Sequence, residues 1–244
     1  MKIAAIADIH GNDVALEAVL SHIARQSPDL IVNLGDTVSG PLQPFATAER
    51  LMSLALPSVR GNHERQLLTL PFDRMGASDR FAAQQLGPGQ RDWMAALPET
   101  LLIEGDVLLV HGTPDNDLTY FLETLEDGMS RPATHDEAAA RAGPADASLI
   151  LCGHTHIPRA MHLEDGRLVV NPGSVGLQAF NDDDPVPHTM AVGSPHARYA
   201  LIERTGGGWR VEMMAVAYDW DAAAVLAEQH ERPDWARALR TGTL

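Results

Sequence analysis

Five short clusters of Asp, Asn and His recur along the 244-residue chain, each beside a glycine and each directly behind an apolar run. They are Asp8-Ile9-His10-Gly11-Asn12, Gly35-Asp36, Arg60-Gly61-Asn62-His63-Glu64, His111-Gly112 and Gly153-His154-Thr155-His156. In extended chain, residues i and i+2 share a face. Asp8 with His10, and His154 with His156, can therefore aim into one site. The set offers imidazole, carboxylate and amide oxygen without any thiolate. That mix suits Mn²⁺, Fe, Zn²⁺, Ni²⁺ or Co²⁺ and disfavours Cu(I) or iron–sulfur chemistry. There are more ligands than one ion can use, and enough for two if a carboxylate bridges.

The elements that must bring these clusters together alternate. KIAAIA (2–7) reads as a buried strand, and DVALEAVLSHIARQ (13–26) follows with helical apolar spacing behind Asn12 as N-cap. LIVNL (30–34) is a second strand, and a helix near 43–55 returns to SVR (58–60). This β-α-β-α-β order predicts a mostly parallel sheet, and in such sheets ligands sit off the carboxyl ends of strands. After about residue 100 the pattern becomes strand–turn–strand: TLLIEGDVLLVHG, RAMHLEDGRLVVN and ARYALIERTGGGWRVEMMAV. Helices are expected near 79–96, 117–142 and 219–230, a long acidic loop over 180–196, and loosely held residues over the last dozen. The fold class is α/β: two packed mixed sheets flanked by helices. We read one domain over 1–244, with a motif core over 1–204 and a C-terminal hairpin and helix over 205–244.

Composition narrows the function classes. A 45% hydrophobic content supports a full core, and a net charge of −15 argues against long nucleic acids or an anionic membrane as partners. No apolar stretch approaches the roughly 20 residues needed to span a bilayer, and the start MKIAAIADIHGN does not read as a signal peptide. A single cysteine, Cys152, excludes an internal disulfide and points to a reducing cytoplasm; we read it as a small core residue.

In order, DIHGN, GDTVSGP, RGNHE, HGTP, GHTHIP and NPGSVG resemble the motifs of the calcineurin-like metallophosphoesterase superfamily. The resemblance spans residues 3–176, and reaches about 204 if YALIE is the following family strand. It implies a β-sandwich with flanking helices and a dinuclear centre. By matching positions, the first metal takes Asp8, His10 and His156. The second takes Asn62, His111 and His154, and Asp36 bridges both. Two ions about 4 Å apart can hold a bridging hydroxide and polarise phosphoryl oxygens, with manganese the first choice of metal. His63 stands outside the metals as the catalytic group beside the leaving oxygen. Glu64 or another acid orients its ring. Asn12 and Arg60 are candidate substrate contacts, Arg60 being equally readable as an ordinary strand-end cation. The Asn171-Pro172-Gly173-Ser174 loop reads as structural support for the site. His22, His135, His162, His188, His196 and His230 read as surface or satisfied core residues.

The implied partner is a small phosphoester. The phosphatase branches carry an arginine after the second-strand Asp, in a GD-x-x-x-RG pattern, and GDTVSGP lacks it. A monoester dianion gains from extra cations, whereas a diester monoanion needs them less. The pattern looks more like the small bacterial and archaeal phosphodiesterase group, so phosphodiester hydrolysis is the favoured activity and phosphomonoester hydrolysis the alternative. A non-catalytic protein-binding scaffold of the same fold is disfavoured, because His63 and every ligand are present. Specificity is expected from 113–146 and 178–196, where Tyr120, Phe121, Phe180 and the acidic run would rim the site, the Asp182–Asp184 run reading as a solvated loop.

Overall fold

The computed structural model describes residues 1–244. Strand β1 (Lys2–Ile6) pairs in parallel with β2 (Leu30–Asn33) and antiparallel with β12 (Ala197–Thr205), which pairs with β13 (Gly208–Val216). The second sheet has five strands in the order β3 (Leu101–Ile103), β4 (Val107–Leu109), β7 (Leu149–Leu151), β9 (Leu168–Asn171), β8 (Arg159–His162). Its three central strands are parallel and its two edges antiparallel.

The two sheets bury their inner faces against each other. Ile3, Ala5, Val32, Ala200 and Ile202 from the first meet Leu109, Leu149, Leu151 and Val170 from the second. The alternate residues of β1, Ala4 and Ile6, point the other way onto Leu16, Val19 and Ile23 of helix α1 (Asp13–Gln26). Strand β1 is therefore apolar throughout because both of its faces are covered. Cys152 lies fully buried with Ile150 and Val169 on the outer face of the second sheet, under Ala138 and Ala142 of helix α6 (His135–Ala142). Burial pushes its thiol pKa up, so it is a packing residue and not a nucleophile.

Four expectations are corrected. SVR contributes only one parallel bridge, Asn33 to Ser58, and not a strand. The chain then starts helix α3 (Asn62–Thr69), because the Glu64 carboxylate accepts the Gly61 N–H at 2.8 Å and closes its first turn. Over 117–142 only α6 is helical; β5 (Glu123–Glu126) and β6 (Met129–Pro132) form a hairpin around Asp127-Gly128. Both turn residues have φ > 0, at 52° and 74°, as a tight hairpin turn requires. The expected 180–196 loop contains a second hairpin, β10 (Ala179–Asp182) with β11 (His188–Ala191). The last residues are not loose either. Beyond α7 (Trp220–Gln229), helix α8 (Pro233–Thr241) buries Trp235, Ala238 and Leu239 against Ala223, Ala227 and Ala179. No helix is long and apolar enough to cross a membrane.

Candidate metal centre

The clusters converge as strand order requires, but through a backbone the extended-strand reading does not describe. Asp8, His10, Asp36, His154 and His156 all have φ between 52° and 71°, so each pair turns through left-handed residues. Those five are half of the ten non-glycine residues in that region, which costs on the order of 1 kcal/mol or more apiece. Neighbouring loops fix them there. Asp8 N–H donates to the Gly35 carbonyl and His10 N–H to the Asp36 carbonyl, both at 3.0 Å. Ser174 Oγ donates to the Asp8 carbonyl at 2.7 Å. Asn171 Nδ2 donates to the Gly153 carbonyl at 2.6 Å, so the 171–174 loop does support the site. Close approach also demands glycine: a Cβ on Gly61 would stand 2.2 Å from Asp36 Oδ1, and one on Gly176 1.7 Å from the Ile9 carbonyl.

Two ligand groups result. Asp8, His10 and His156 form one, Asp36, His111 and His154 the other, and each is buried with its donor atoms within 4.8 Å of one another. Asn62 Oδ1 joins the second group, 3.0 Å from His111 Nε2, and Asp36 Oδ2 lies 3.1 Å from the same nitrogen.

Backbone carbonyls fix the tautomers. His10 Nδ1 faces the Ser39 carbonyl at 2.8 Å and His156 Nδ1 the Leu177 carbonyl at 2.6 Å, so each of these nitrogens holds the proton. Both Nε2 lone pairs then point at one another across 3.0 Å. Burial, the largest cause, takes the His10 pKa down to about 4 and that of His156 well below its usual range, so neither ring supplies a proton to the gap. Two lone pairs converging at this distance suit a shared cation. His111 is held the same way, its Nδ1 facing the Leu34 carbonyl at 2.8 Å, whereas His154 faces the Leu118 carbonyl through Nε2 at 3.1 Å and keeps Nδ1 for the site. The charges agree. Burial, reinforced by Asp36, raises Asp8 to about 8, while His111 and His63 outweigh burial and hold Asp36 well below the usual carboxylate range. Buried nitrogen and oxygen donors of this kind suit two divalent transition-metal ions.

A cavity of about 480 Å³ opens over these groups. His10, Asp36, Asn62, His63, His154 and His156 line it, and Arg74, Phe180, Arg232 and Trp235 are among the residues around them. His63 stands with its ring 5.4 Å from that of His10, its side chain 28% exposed. The acid that orients it is Asp79 of helix α4 (Ala77–Gln85), whose Oδ1 takes His63 Nδ1 at 2.8 Å and the Ser39 hydroxyl at 2.6 Å. Glu64 turns the other way and accepts the backbone N–H groups of Asp36, Thr37 and Gly61.

Two candidate substrate contacts do not reach the cavity. Asn12 is fully buried and spent, its Oδ1 capping α1 at Ala15 N and its Nδ2 donating to the Gly176 carbonyl and the Tyr218 hydroxyl. Arg60 turns to Glu99 and lines a separate polar cavity with Arg65 and Asp117. Of the expected rim aromatics, Phe180 packs on His156 and Tyr120 on His154, but Phe121 lies in the core. Asp182 and Asp184 do line the cavity. Sequence reasoning alone does not find Ser39, Asp79, Arg74, Arg232 or Trp235. Only Pro233-Asp234-Trp235, a helix start with an apolar residue in its first turn, carries a local signal.

Residues 1–195 match the calcineurin-like phosphoesterase superfamily domain. The chain is 26% identical over 251 residues to an uncharacterised protein of Methanocaldococcus jannaschii, covering 96% of this chain and 94% of that one. A metallophosphoesterase from Sphaerobacter thermophilus superposes with a TM-score of 0.74 at 26% identity, 98% of each chain being covered. A hypothetical protein from Pyrococcus horikoshii shares the fold, with a TM-score of 0.76 at 21% identity over 99% of this chain and 98% of that one. With six motifs arranged around two buried ligand groups, the chain belongs to the calcineurin-like phosphoesterase superfamily.

Proposed function

We propose that this protein is a dinuclear-metal phosphodiesterase acting on small, nucleotide-like diesters in a reducing cytoplasm, with Mn²⁺ the preferred ion. The observation that carries the reading is the pairing of the two ligand groups with His63, whose ring is fixed by Asp79 inside the same cavity. Bound ions supply an activated water and charge stabilisation at the phosphoryl oxygens. The protein's own part is to hold and deliver a proton. Burial opposes protonation of His63, but the Asp36 charge and the Asp79 hydrogen bond outweigh it and raise the pKa to about 10. With Nδ1 committed to Asp79, Nε2 carries the proton that a departing alkoxide needs.

The lean towards diesters rests on cations. No arginine stands among the cavity residues at the ligand groups, Asp36, Asn62, His10, His63, His154 and His156: Arg60 is turned to Glu99, Arg232 is held by Asp234 and Ser78, and Arg74 lies past the end of α3. A monoester dianion would draw less stabilisation there than the family's arginine-bearing branches provide. Metal-stripped protein re-supplied with Mn²⁺ is expected to hydrolyse bis(p-nitrophenyl) phosphate with a higher kcat/KM than p-nitrophenyl phosphate. The reverse order would move the protein to the phosphomonoesterase reading, and turnover of neither would favour a binding role.

A further inference from the structure

Two guanidinium groups line the cavity, and their circumstances differ. Arg232 is committed: Nε and Nη2 donate to Asp234 at 2.9 and 2.7 Å, Nη1 donates to Ser78 Oγ at 3.0 Å, and the group lies 5.5 Å over the Trp235 ring. Arg74 ends the short 3-10 turn Phe72–Arg74, is exposed, and its guanidinium has no hydrogen bond or ion pair within the chain. Of the cavity's carboxylates, Asp79 is engaged with His63 and Ser39, and Asp234 with Arg232. Asp182 and Asp184 belong to a different wall, that of the β10–β11 hairpin.

Arg74 is also set apart from the ligands. Asn62, Gln66 and Leu70 line the cavity at four-residue spacing along and just beyond α3, and Arg74 follows. Helix α3 supplies this wall for its eight residues, roughly 12 Å, and Arg74 lies past its end in the following turn. The apolar side chains of Leu70, Leu118, Leu177 and Phe180 line the same cavity and suit an uncharged spacer.

We infer that Arg74 is a specificity residue for a second phosphate, carried by the substrate apart from the scissile one. A free guanidinium fork matches phosphate oxygens bidentately. A nucleotide diester that also carries a terminal phosphate has the required chemistry: the diester for the metal centre, the terminal phosphate for Arg74 and an apolar-faced base for the leucines and Phe180. The inference rests on the phosphoesterase reading above and specifies the substrate class of that site.

The test is calorimetry on full-length, Mn²⁺-loaded protein with thymidine 3′,5′-bisphosphate and thymidine 5′-monophosphate at constant free Mn²⁺. The wild type is expected to bind the bisphosphate at least about 10-fold more tightly, the yield of one charge-assisted contact. Arg74→Ala should erase that advantage while leaving monophosphate affinity within about 2-fold, and Arg74→Lys should keep part of it. An equal bisphosphate advantage in wild type and Arg74→Ala, or none in either, overturns the inference. So does an equal weakening of both ligands, which would mean that Arg74 serves the scissile phosphate. Binding needs no turnover, so hydrolysis of bis(p-nitrophenyl) phosphate by the same preparations tests the phosphoesterase reading separately. Arg74 is exposed and structurally uncommitted, so its variants are expected to fold.

Discussion

His63 and Asp79 are joined by a 2.8 Å hydrogen bond across 16 residues of chain, and that contact decides which way the His63 imidazole faces. It also holds a proton on the ring. Burial alone would lower the pKa, but the Asp36 charge and then the Asp79 hydrogen bond raise it to about 10. An imidazole raised this far stays protonated through neutral pH and loses its proton only as pH climbs through that value. Asp79→Asn removes one of the raising causes. The alkaline limb of the kcat profile should therefore move to lower pH, with kcat at neutral pH down by about 10- to 100-fold. If Asp79 only buttressed α4, the variant would melt earlier with its alkaline limb unmoved.

The lone pairs of His10 and His156 meet at 3.0 Å, so a bound cation converts repulsion into two coordinate bonds. Reloading metal-stripped protein should raise Tm steeply. An ion binding only the native state at 100 times its Kd contributes about 2.7 kcal/mol, worth roughly 5–10 °C in a chain of this size. His156→Ala should lower the bound metal from about two equivalents to one by elemental analysis, because the second group keeps its own donors. Two equivalents retained in that variant would reject the division into two groups.

How much of this is legible in the sequence follows from locality. Asp8, His10, Asp36, His111, His154 and His156 each stand just behind an apolar strand and Asn62 just behind the single bridge at Ser58, so strand order brings them to one end of the sheets. Asp79 gives no such signal, because its role depends on α4 folding back over His63 and Ser39. The β5–β6 segment reads as helix although Asp127-Gly128 is a strong turn signal, since a short apolar run fits either period. Helix α8 is easily overlooked because its apolar stripe is short, yet Pro233 at its start and Gly242 past its end, at φ 67°, mark both boundaries. Arg60 misleads for a different reason: adjacency to Gly61-Asn62-His63 does not say which way a long side chain turns, and Glu99 draws it off.

Glu64 lies beside His63 in sequence but serves the loop that carries Asp36. Its carboxylate accepts from Asp36 N at 2.9 Å, Thr37 N and Thr37 Oγ1 at 2.7 Å, and Gly61 N at 2.8 Å, all buried. Glu64→Ala orphans these donors, at a cost of about 3 kcal/mol or more, so Tm should fall by roughly 6–12 °C. Metal affinity should weaken with it, because Asp36 loses its backbone anchor. The alkaline limb of any remaining activity should move less than in Asp79→Asn, because the Glu64 charge raises His63 less than Asp36 and Asp79 do. A limb shifted as far as in Asp79→Asn would mean that Glu64 is a principal partner of His63.

Trp235 ties the C-terminal helix to the first metal group. It is 6% exposed, its ring lies 6.0 Å from that of His10 in an edge contact, and a Cβ on Gly40 would come within 2.8 Å of its ring. The contact holds α8 against the loop whose Ser39 carbonyl sets the His10 tautomer. Trp235→Ala removes a large buried side chain, at a cost of about 3–5 kcal/mol, visible as a lower denaturation midpoint. The same cavity frees the His10 ring to rotate, so affinity for the first ion should fall more than affinity for the second. Trp235→Phe should restore most of the stability and most of the metal affinity together, since it refills the space beside His10. Stability lost with both ion affinities unchanged would show that α8 supports only the β10–β11 hairpin and that His10 is held by Ser39 alone.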